Sequence, residues 1–354
     1  MREYAVIMAG GSGTRFWPMS RIGRPKQYLP LTGKELLINE TSDRLNRLFP
    51  GDNILAVTGA GQEEILRSAT AGRILPANVL IEPCARNTTA CIGYAAVTLR
   101  HRSGGDAVMC ITPADHYIEQ DDRFRKALRD GMDLAEREDC LVTVGIQPTY
   151  PATGYGYMKY LGDRVLNFVE KPVRETAEKY LSEGDYLWNS GIFIWRVSVI
   201  LDYYRRLMPQ VYELLVQIEE AMDTPREQEV LAEAYAKIPK ISVDYAIMER
   251  ADNVRVMRGD FTWNDVGTWD SLDSLIDKDE KGNASVGEHF HLNSTDTLTY
   301  STGRLIATVG LDHIGVVETK DAILVFDRDH AQDIGILWEN MMKNGKEEYL
   351  RQVD

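Results

Sequence analysis

Through its first two thirds the chain alternates short β-branched apolar runs with longer amphipathic stretches, and few folds accommodate that alternation. A strand that returns parallel to its neighbour needs a crossover of about a dozen residues or more, which an amphipathic helix supplies. The strand-forming runs are YAVIMA (4–9), NILAVT (53–58), NVLIE (78–82), AVMCIT (107–112), LVTVGI (141–146), LNFVEK (166–171) and GIFIW (191–195). Between them the apolar period lengthens to that of a helix at about 35–49, 62–71, 88–102, 122–137 and 174–183. Residues 197–276 read as largely helical, apart from the short strand VRVMRG (254–259). After the polar stretch DKDEKGN (277–283) come short strands and turns, then a charged helix-like run at 333–350. The expected class is α/β: a Rossmann-like, mostly parallel sheet with helices on both faces over 1–276, followed by a small β-rich domain over 284–354 that ends in a helix.

Charge narrows the partners. A formal net charge of -14 argues against a broad nucleic-acid or anionic-membrane surface, since both require spread-out Lys and Arg. An anionic ligand must therefore meet a local basic pocket. The N-terminal apolar run, Tyr4 to Ala9, is broken by Gly10 and Gly11 and is too short for a signal core or a membrane span. Cys84, Cys91, Cys110 and Cys140 form no Cys-x-x-Cys pair, so neither a disulfide framework nor a zinc site is suggested and the reducing cytoplasm is expected.

In an open α/β sheet, ligands bind outside the carboxyl ends of the strands. The first strand ends in AGGSGTR (9–15), where glycines let backbone N–H groups approach a phosphate and Arg15 adds a fork of donors. On its own this loop is equally a tight turn: Phe16 stands where a dinucleotide fingerprint needs glycine, and no Gly-Lys-Ser/Thr follows. The next stretch concentrates Arg21, Arg24 and Lys26 in an acidic chain, as a phosphate site requires. After the third strand, Glu82, Arg86 and Asn87 offer a guanine acceptors and donors, although Asn87 or Thr88 would also serve as a helix cap. Asp115 follows the fourth strand and Asp265 lies in WNDVG (263–267); each is a candidate magnesium ligand or a turn residue. Gly154 and Gly156, Glu170 with Lys171, and Asn189 have the chemistry for a sugar phosphate, and would otherwise be turn glycines and a strand-end ion pair.

Taken in order, AGGSGTRFWPMS, RPKQYL, EPCARNTTA, PADHYI, TGYGYM, FVEKP, WNSGIF, SVDYAIME and WNDVGTW resemble the sugar nucleotidylyltransferase superfamily, and within it the bacterial mannose-1-phosphate guanylyltransferases. The resemblance covers about residues 4–270. It implies nucleotide binding by Ala9, Gly10, Gly11, Gly13, Thr14, Glu82, Asn87 and Asp115, with Arg15 and Lys26 catalytic. Sugar-phosphate contacts fall to Gly154, Glu170, Lys171 and Asn189, and Mg2+ ligation to Asp115 and Asp265. The chain reads NTTAC where the family more usually has NTAP, which weakens the base assignment. The tail resembles the family's small left-handed β-helix, and 354 residues leave no room for the cupin isomerase of two-domain relatives.

The implied partners are GTP and mannose 1-phosphate, in a homodimer that needs neither nucleic acid nor membrane. GDP-heptose or glucose-type chemistry is the nearest rival. A regulatory nucleotide-sugar-binding copy would be expected to lose Arg15, Lys26 or a metal carboxylate, and all are present. A nicotinamide dehydrogenase lacks its ribose-reading acid here. Every version of the reading requires the glycine turn and the two aspartates, far apart in sequence, to come together.

Overall fold

The computed structural model describes residues 1–33 and 35–351, so the last three residues of the expected second domain lie outside the described chain. Nine strands form one sheet: β1 (Arg2–Met8), β2 (Ile54–Gly59), β3 (Val79–Glu82), β4 (Ala107–Pro113), β5 (Leu141–Ile146), β6 (Tyr157–Leu161), β7 (Arg164–Val169), β8 (Tyr186–Arg196) and β9 (Val254–Gly259). Their order is β3-β2-β1-β4-β8-β5-β9-β7-β6. The α/β class and all seven strands expected before residue 197 are present, together with VRVMRG. The pairs among β3, β2, β1 and β4 are parallel, as is β9 with β5. Around the long β8 the sheet turns antiparallel, because β8 pairs with β4, β5 and β6 in that sense.

Two elements differ from the sequence reading. The segment TGYGYM leads into β6, whose Tyr157 is fully buried. Likewise Trp188, Asn189 and Ser190 lie inside β8, which begins five residues before the expected GIFIW run. The 188–191 run carries a glycine and polar residues that disguise a strand in sequence, and sheet pairing overrides that local preference, whereas Thr153 to Gly156 stay outside any strand.

The sheet is covered on both faces. Phe193 and Trp195 belong to an apolar core with the helices Asn87–Ser103, Val197–Leu207 and Pro209–Ala221. Side chains alternate along a strand, so Ile194 faces the other way, toward Gly131 of the helix Asp121–Arg137. A Cβ on Gly131 would sit 2.6 Å from Ile194 Cδ1, so glycine sets how closely that helix approaches.

The described chain folds as two compact units. One contains residues 1–10, 42–114 and 118–263, and with them the sheet. The other contains 11–41, 115–117 and 264 onward. In the second unit, strands Ala284–Val286, Leu298–Ser301 and Ile314–Glu318 stack in parallel. Ala284 lies beside Leu298 and Leu298 beside Gly315, so the chain comes back alongside itself with no helix between, as in a β-helix. The strand Ile323–Asp327 ends the coil by pairing antiparallel with 314–318. Leu298, Tyr300, Val317 and Phe326 share one core with Phe16, Trp17, Leu29, Val266 and Trp269. Trp269 is fully buried, 5.1 Å from the Phe16 ring and 5.2 Å from that of Tyr300, and its indole N–H donates to Trp17 O at 3.1 Å. The β-helix thus forms one core with the segment that follows the glycine turn.

Gly315 is the tightest point of this packing, since a Cβ there would lie 2.1 Å from the Phe326 ring. Gly315→Ala is expected to lower unfolding stability by about 1–3 kcal/mol through overpacking. In a denaturant double-mutant cycle, Phe326→Leu should recover part of that loss; additive effects would contradict the packing account.

Candidate functional site

The glycine turn opens the second unit. Gly13 has φ +59°, and a Cβ there would stand 2.5 Å from Lys26 Cβ and 2.7 Å from Lys26 N. Only glycine permits both the dihedral and the approach. Gln27 Nε2 donates to Gly11 O at 3.1 Å. The short helical turn Thr14–Phe16 sends Phe16 into the core and leaves Arg15 exposed, its Nη1 donating to Gln332 Oε1 at 2.8 Å.

Lys26 is buried, and its ammonium meets three oxygens: Asp115 Oδ2 at 2.7 Å, Asp265 O at 2.7 Å and Val266 O at 2.9 Å. An ammonium has three donors. The glycine turn, Lys26 and the two aspartate segments therefore come together, as the sequence reading required. Burial alone would push the Asp115 carboxyl up, but the Lys26 ammonium and His116 outweigh it and hold the group below the ordinary carboxylate value. Asp115 is accordingly ionised at neutral pH.

Asp265 reaches Lys26 through its backbone, and its carboxylate Oδ1 accepts from Gly267 N at 3.0 Å. Asn264 Oδ1 accepts from Val266 N at 2.7 Å. Val266, fully buried, holds φ +47°, a left-handed conformation that costs a β-branched residue on the order of 1–3 kcal/mol. In this strained turn two successive carbonyls converge on one ammonium. The Asp115 and Asp265 carboxylates are hard oxygen donors of the kind a divalent ion such as Mg2+ accepts.

In the sheet unit, β1 to β4 end at one rim, at Met8, Gly59, Glu82 and Pro113. Ala9 is fixed there by its N–H to Val57 O at 2.8 Å and by Thr58 Oγ1 to its carbonyl at 2.9 Å. Gly10 follows, where a Cβ would sit 3.4 Å from Glu82 Oε2. Glu82 is buried and accepts from Tyr235 OH at 3.2 Å; burial pushes its carboxyl up to about 7. The Arg86 guanidinium donates to Tyr235 O at 2.7 Å and Ala236 O at 2.9 Å. Asn87 is exposed at the start of its helix with φ +66°, its Oδ1 accepting from Thr88 N. Thr88 Oγ1 instead accepts from Val243 N at 2.9 Å, so its side chain ties down the 243 segment and no side chain caps the helix.

Asn189 pairs with Gly145 where the β5–β8 ladder bulges. Its amide oxygen accepts from Thr143 Oγ1 at 2.9 Å, and its Nδ2 donates to Asp244 Oδ1 at 2.9 Å. Burial, with the Glu170 charge adding to it, pushes the Asp244 carboxyl up to about 6. Lys171 Nζ binds Glu170 Oε1 at 2.8 Å, and Glu170 N donates to Glu249 Oε1 at 2.8 Å. Asn189, Glu170 and Lys171 thus form one polar group with Asp244, to which the sequence reading gave no role although SVDYAIME contains it. Of the two glycines, Gly156 is the one pressed against this group: a Cβ there would lie 2.5 Å from Glu170 Oε2, whereas Gly154 has open space. Tyr150, Tyr155 and Trp188 stack edge to face, with Trp263 5.1 Å from Tyr155.

A glycine turn against a buried lysine, two aspartates beside it and a polar group at the sheet rim agree with what sequence comparison finds: the nucleotidyl transferase model matches residues 4–282. The chain belongs to the nucleotidyl transferase family. Residues 287–337 match a second model, described as a MannoseP isomerase/GMP-like beta-helix domain. The Escherichia coli K12 mannose-1-phosphate guanylyltransferase is 35% identical over 98% of this chain and 75% of its own length. The Pseudomonas fluorescens alginate biosynthesis protein AlgA is 36% identical over 97% of this chain and 72% of its own. A crystal structure from Thermus thermophilus, described as a mannose-1-phosphate geranyltransferase, has a TM-score of 0.87 and 34% identity, covering 97% of this chain and all of that one.

Glu82 has a pH signature. Its folded pKa, about 7, lies above its unfolded value, so the stability its protonated form permits is full below about pH 4.3 and is lost as pH rises through about 7. Glu82→Gln should match the wild type in urea near pH 4 and exceed it increasingly up to pH 7, with a constant advantage above. A pH-independent difference would rule out the raised pKa.

Proposed function

We propose that the chain transfers GMP from GTP to α-D-mannose 1-phosphate, giving GDP-mannose and pyrophosphate, with Mg2+ as the divalent ion. The observation carrying this reading is the meeting of the Lys26 ammonium with Asp115 and the Asp265 turn beside the glycine loop. The sugar and base follow from the named relatives, several of which are mannose-1-phosphate guanylyltransferases.

The sugar phosphate's second pKa is near ~6, so the nucleophile is already mostly anionic at pH 7 and needs no general base. One of its oxygens attacks the α-phosphorus in line, and the bond to the bridging oxygen breaks as pyrophosphate leaves. The barrier is repulsion between polyanions. Arg15, Lys26 and the backbone N–H groups of Gly10, Gly11, Gly13 and Thr14 offset it, while Ala9 anchors the loop. A divalent ion held by Asp115 and Asp265 would supply further charge neutralisation at the phosphates. Glu82 and Asn87 face the base, and Gly154, Glu170, Lys171 and Asn189 the sugar phosphate, with Asp244 fixing Asn189.

In this reading residues 1–276 carry the chemistry and 284–354 brace it, the bracing supported by the core that Phe16 and Val266 share with Tyr300 and Val317. The protein would act in the cytoplasm, consistent with four free cysteines, and among the described residues no helix is long and apolar enough to cross a membrane. A homodimer is supported by Phe290, Leu292 and Val309, exposed on strands that pair Phe290 with Ala307 and Leu292 with Val309, and by Leu305, exposed just before the second of them. Sedimentation equilibrium should give twice the chain mass; a monomer would remove the dimer from the reading.

Pyrophosphate release should require GTP, mannose 1-phosphate and Mg2+ together, and the initial-rate lines should intersect. Preference for a heptose or glucose phosphate in a screen of GTP, ATP, UTP and dTTP would overturn the substrate assignment, and parallel lines the single-displacement mechanism. Lys26→Ala should lower kcat by at least ~100-fold, as when one oxyanion donor is lost.

A further inference from the structure

We propose that the Lys26 ammonium is a resident cation of the metal site: it holds the Asp115 and Asp265 segments together in the nucleotide-free protein, and a divalent ion binding Asp115 must displace it. The inference rests on reading Asp115 as a metal ligand.

All three Lys26 donors are used on Asp115 Oδ2, Asp265 O and Val266 O. A carboxylate and two carbonyls around one positive charge form a small cation cradle, and the cradle is built at a cost, since the second carbonyl belongs to Val266 at φ +47°. Strain of that kind persists only where the surroundings over-determine it. Here they are the Lys26 charge and the apolar core around Val266. The ammonium is buried and lies 5.8 Å from the Phe16 ring centroid, so leaving it without oxygen partners would be costly.

These constraints make the partners of Lys26 exchangeable only as a set. A divalent ion on Asp115 would stand within a few ångströms of the ammonium, and two cations at such range repel strongly in a poorly hydrated site. Gly13 presses on Lys26 N and Cβ, which fixes the backbone and leaves the long side chain as the part that moves. The side chain's new partners would be the nucleotide phosphates, so metal and nucleotide bind cooperatively and the metal alone binds weakly. Lys26 is then a positioning residue before substrate arrives and a phosphate partner afterwards.

The test is Mn2+ binding to the nucleotide-free full chain, followed by electron paramagnetic resonance of the free ion. Lys26→Met should bind Mn2+ about tenfold more tightly than the wild type or better, because a competing charge is gone, and Mn2+ should raise its unfolding temperature more than the wild type's. Lys26→Gln, which keeps donors for the carbonyls, should show the same tightening and serves if the methionine variant unfolds. Equal or weaker Mn2+ binding by both variants overturns the proposal. Adding Asp115→Asn separates the two readings. If it abolishes Mn2+ binding while the Lys26 variants bind like the wild type, only the competition fails. If Mn2+ binding survives it, the assignment of Asp115 as ligand fails, and the competition with it.

Discussion

One buried positive charge organises the glycine-turn end of the second unit. The Lys26 ammonium satisfies an ionised carboxylate and two carbonyls of a strained turn, and each side of that arrangement depends on the other. Without the ammonium, Asp115 would be a half-buried charge with less to offset its desolvation. Without the oxygens, the ammonium would stand beside an aromatic ring with nothing to accept its protons. Because the three contributing segments are far apart in the chain, the cost of bringing them together falls on the rest of the fold.

That cost is met by the core of the second unit. Phe16 and Trp17 follow the glycine turn directly, Leu29 follows Lys26, Val266 lies in the turn that offers the carbonyls, and Trp269 opens the helix after it. All of them pack with β-helix residues such as Tyr300 and Val317. Arg328 adds a polar fastening, donating to Asp270, Asp273 and Asp296 between 2.5 and 2.9 Å. The small β domain is therefore part of the framework that holds the glycine turn. The sheet rim works by the same logic on a different chemistry: a bulge opposite Gly145 and the half-buried Asp244 fix Asn189, and a Glu82 carboxyl oxygen lies close to Gly10.

Much of this was legible in the sequence. The alternation of periods named the α/β class and its strands, because burial on both faces of a sheet leaves few residue choices. The glycine turn, the local basic run and the two aspartates were visible because phosphate chemistry needs rare residue types in close order. What escaped were residues whose role comes from their neighbours. WNSG read as a loop since its glycine and amide look like turn signals, and only sheet pairing makes it strand. Asp244 escaped because one acid in a helical stretch carries no signal until Asn189 is found 2.9 Å away.

The sequence by itself determined the class of fold, the family and the set of groups able to handle two anionic substrates, since these depend on residue type, order and local period. Only the tertiary structure decided which groups face one another. It put Lys26 on Asp115 and on the carbonyls of Asp265 and Val266, chose Gly156 over Gly154 as the glycine pressed against Glu170, and drew segment 11–41 into one core with the β-helix. The physical reason is range: propensity and periodicity act over a few residues, whereas a buried charge is satisfied by whatever oxygen the fold delivers within about 3 Å, from any distance along the chain.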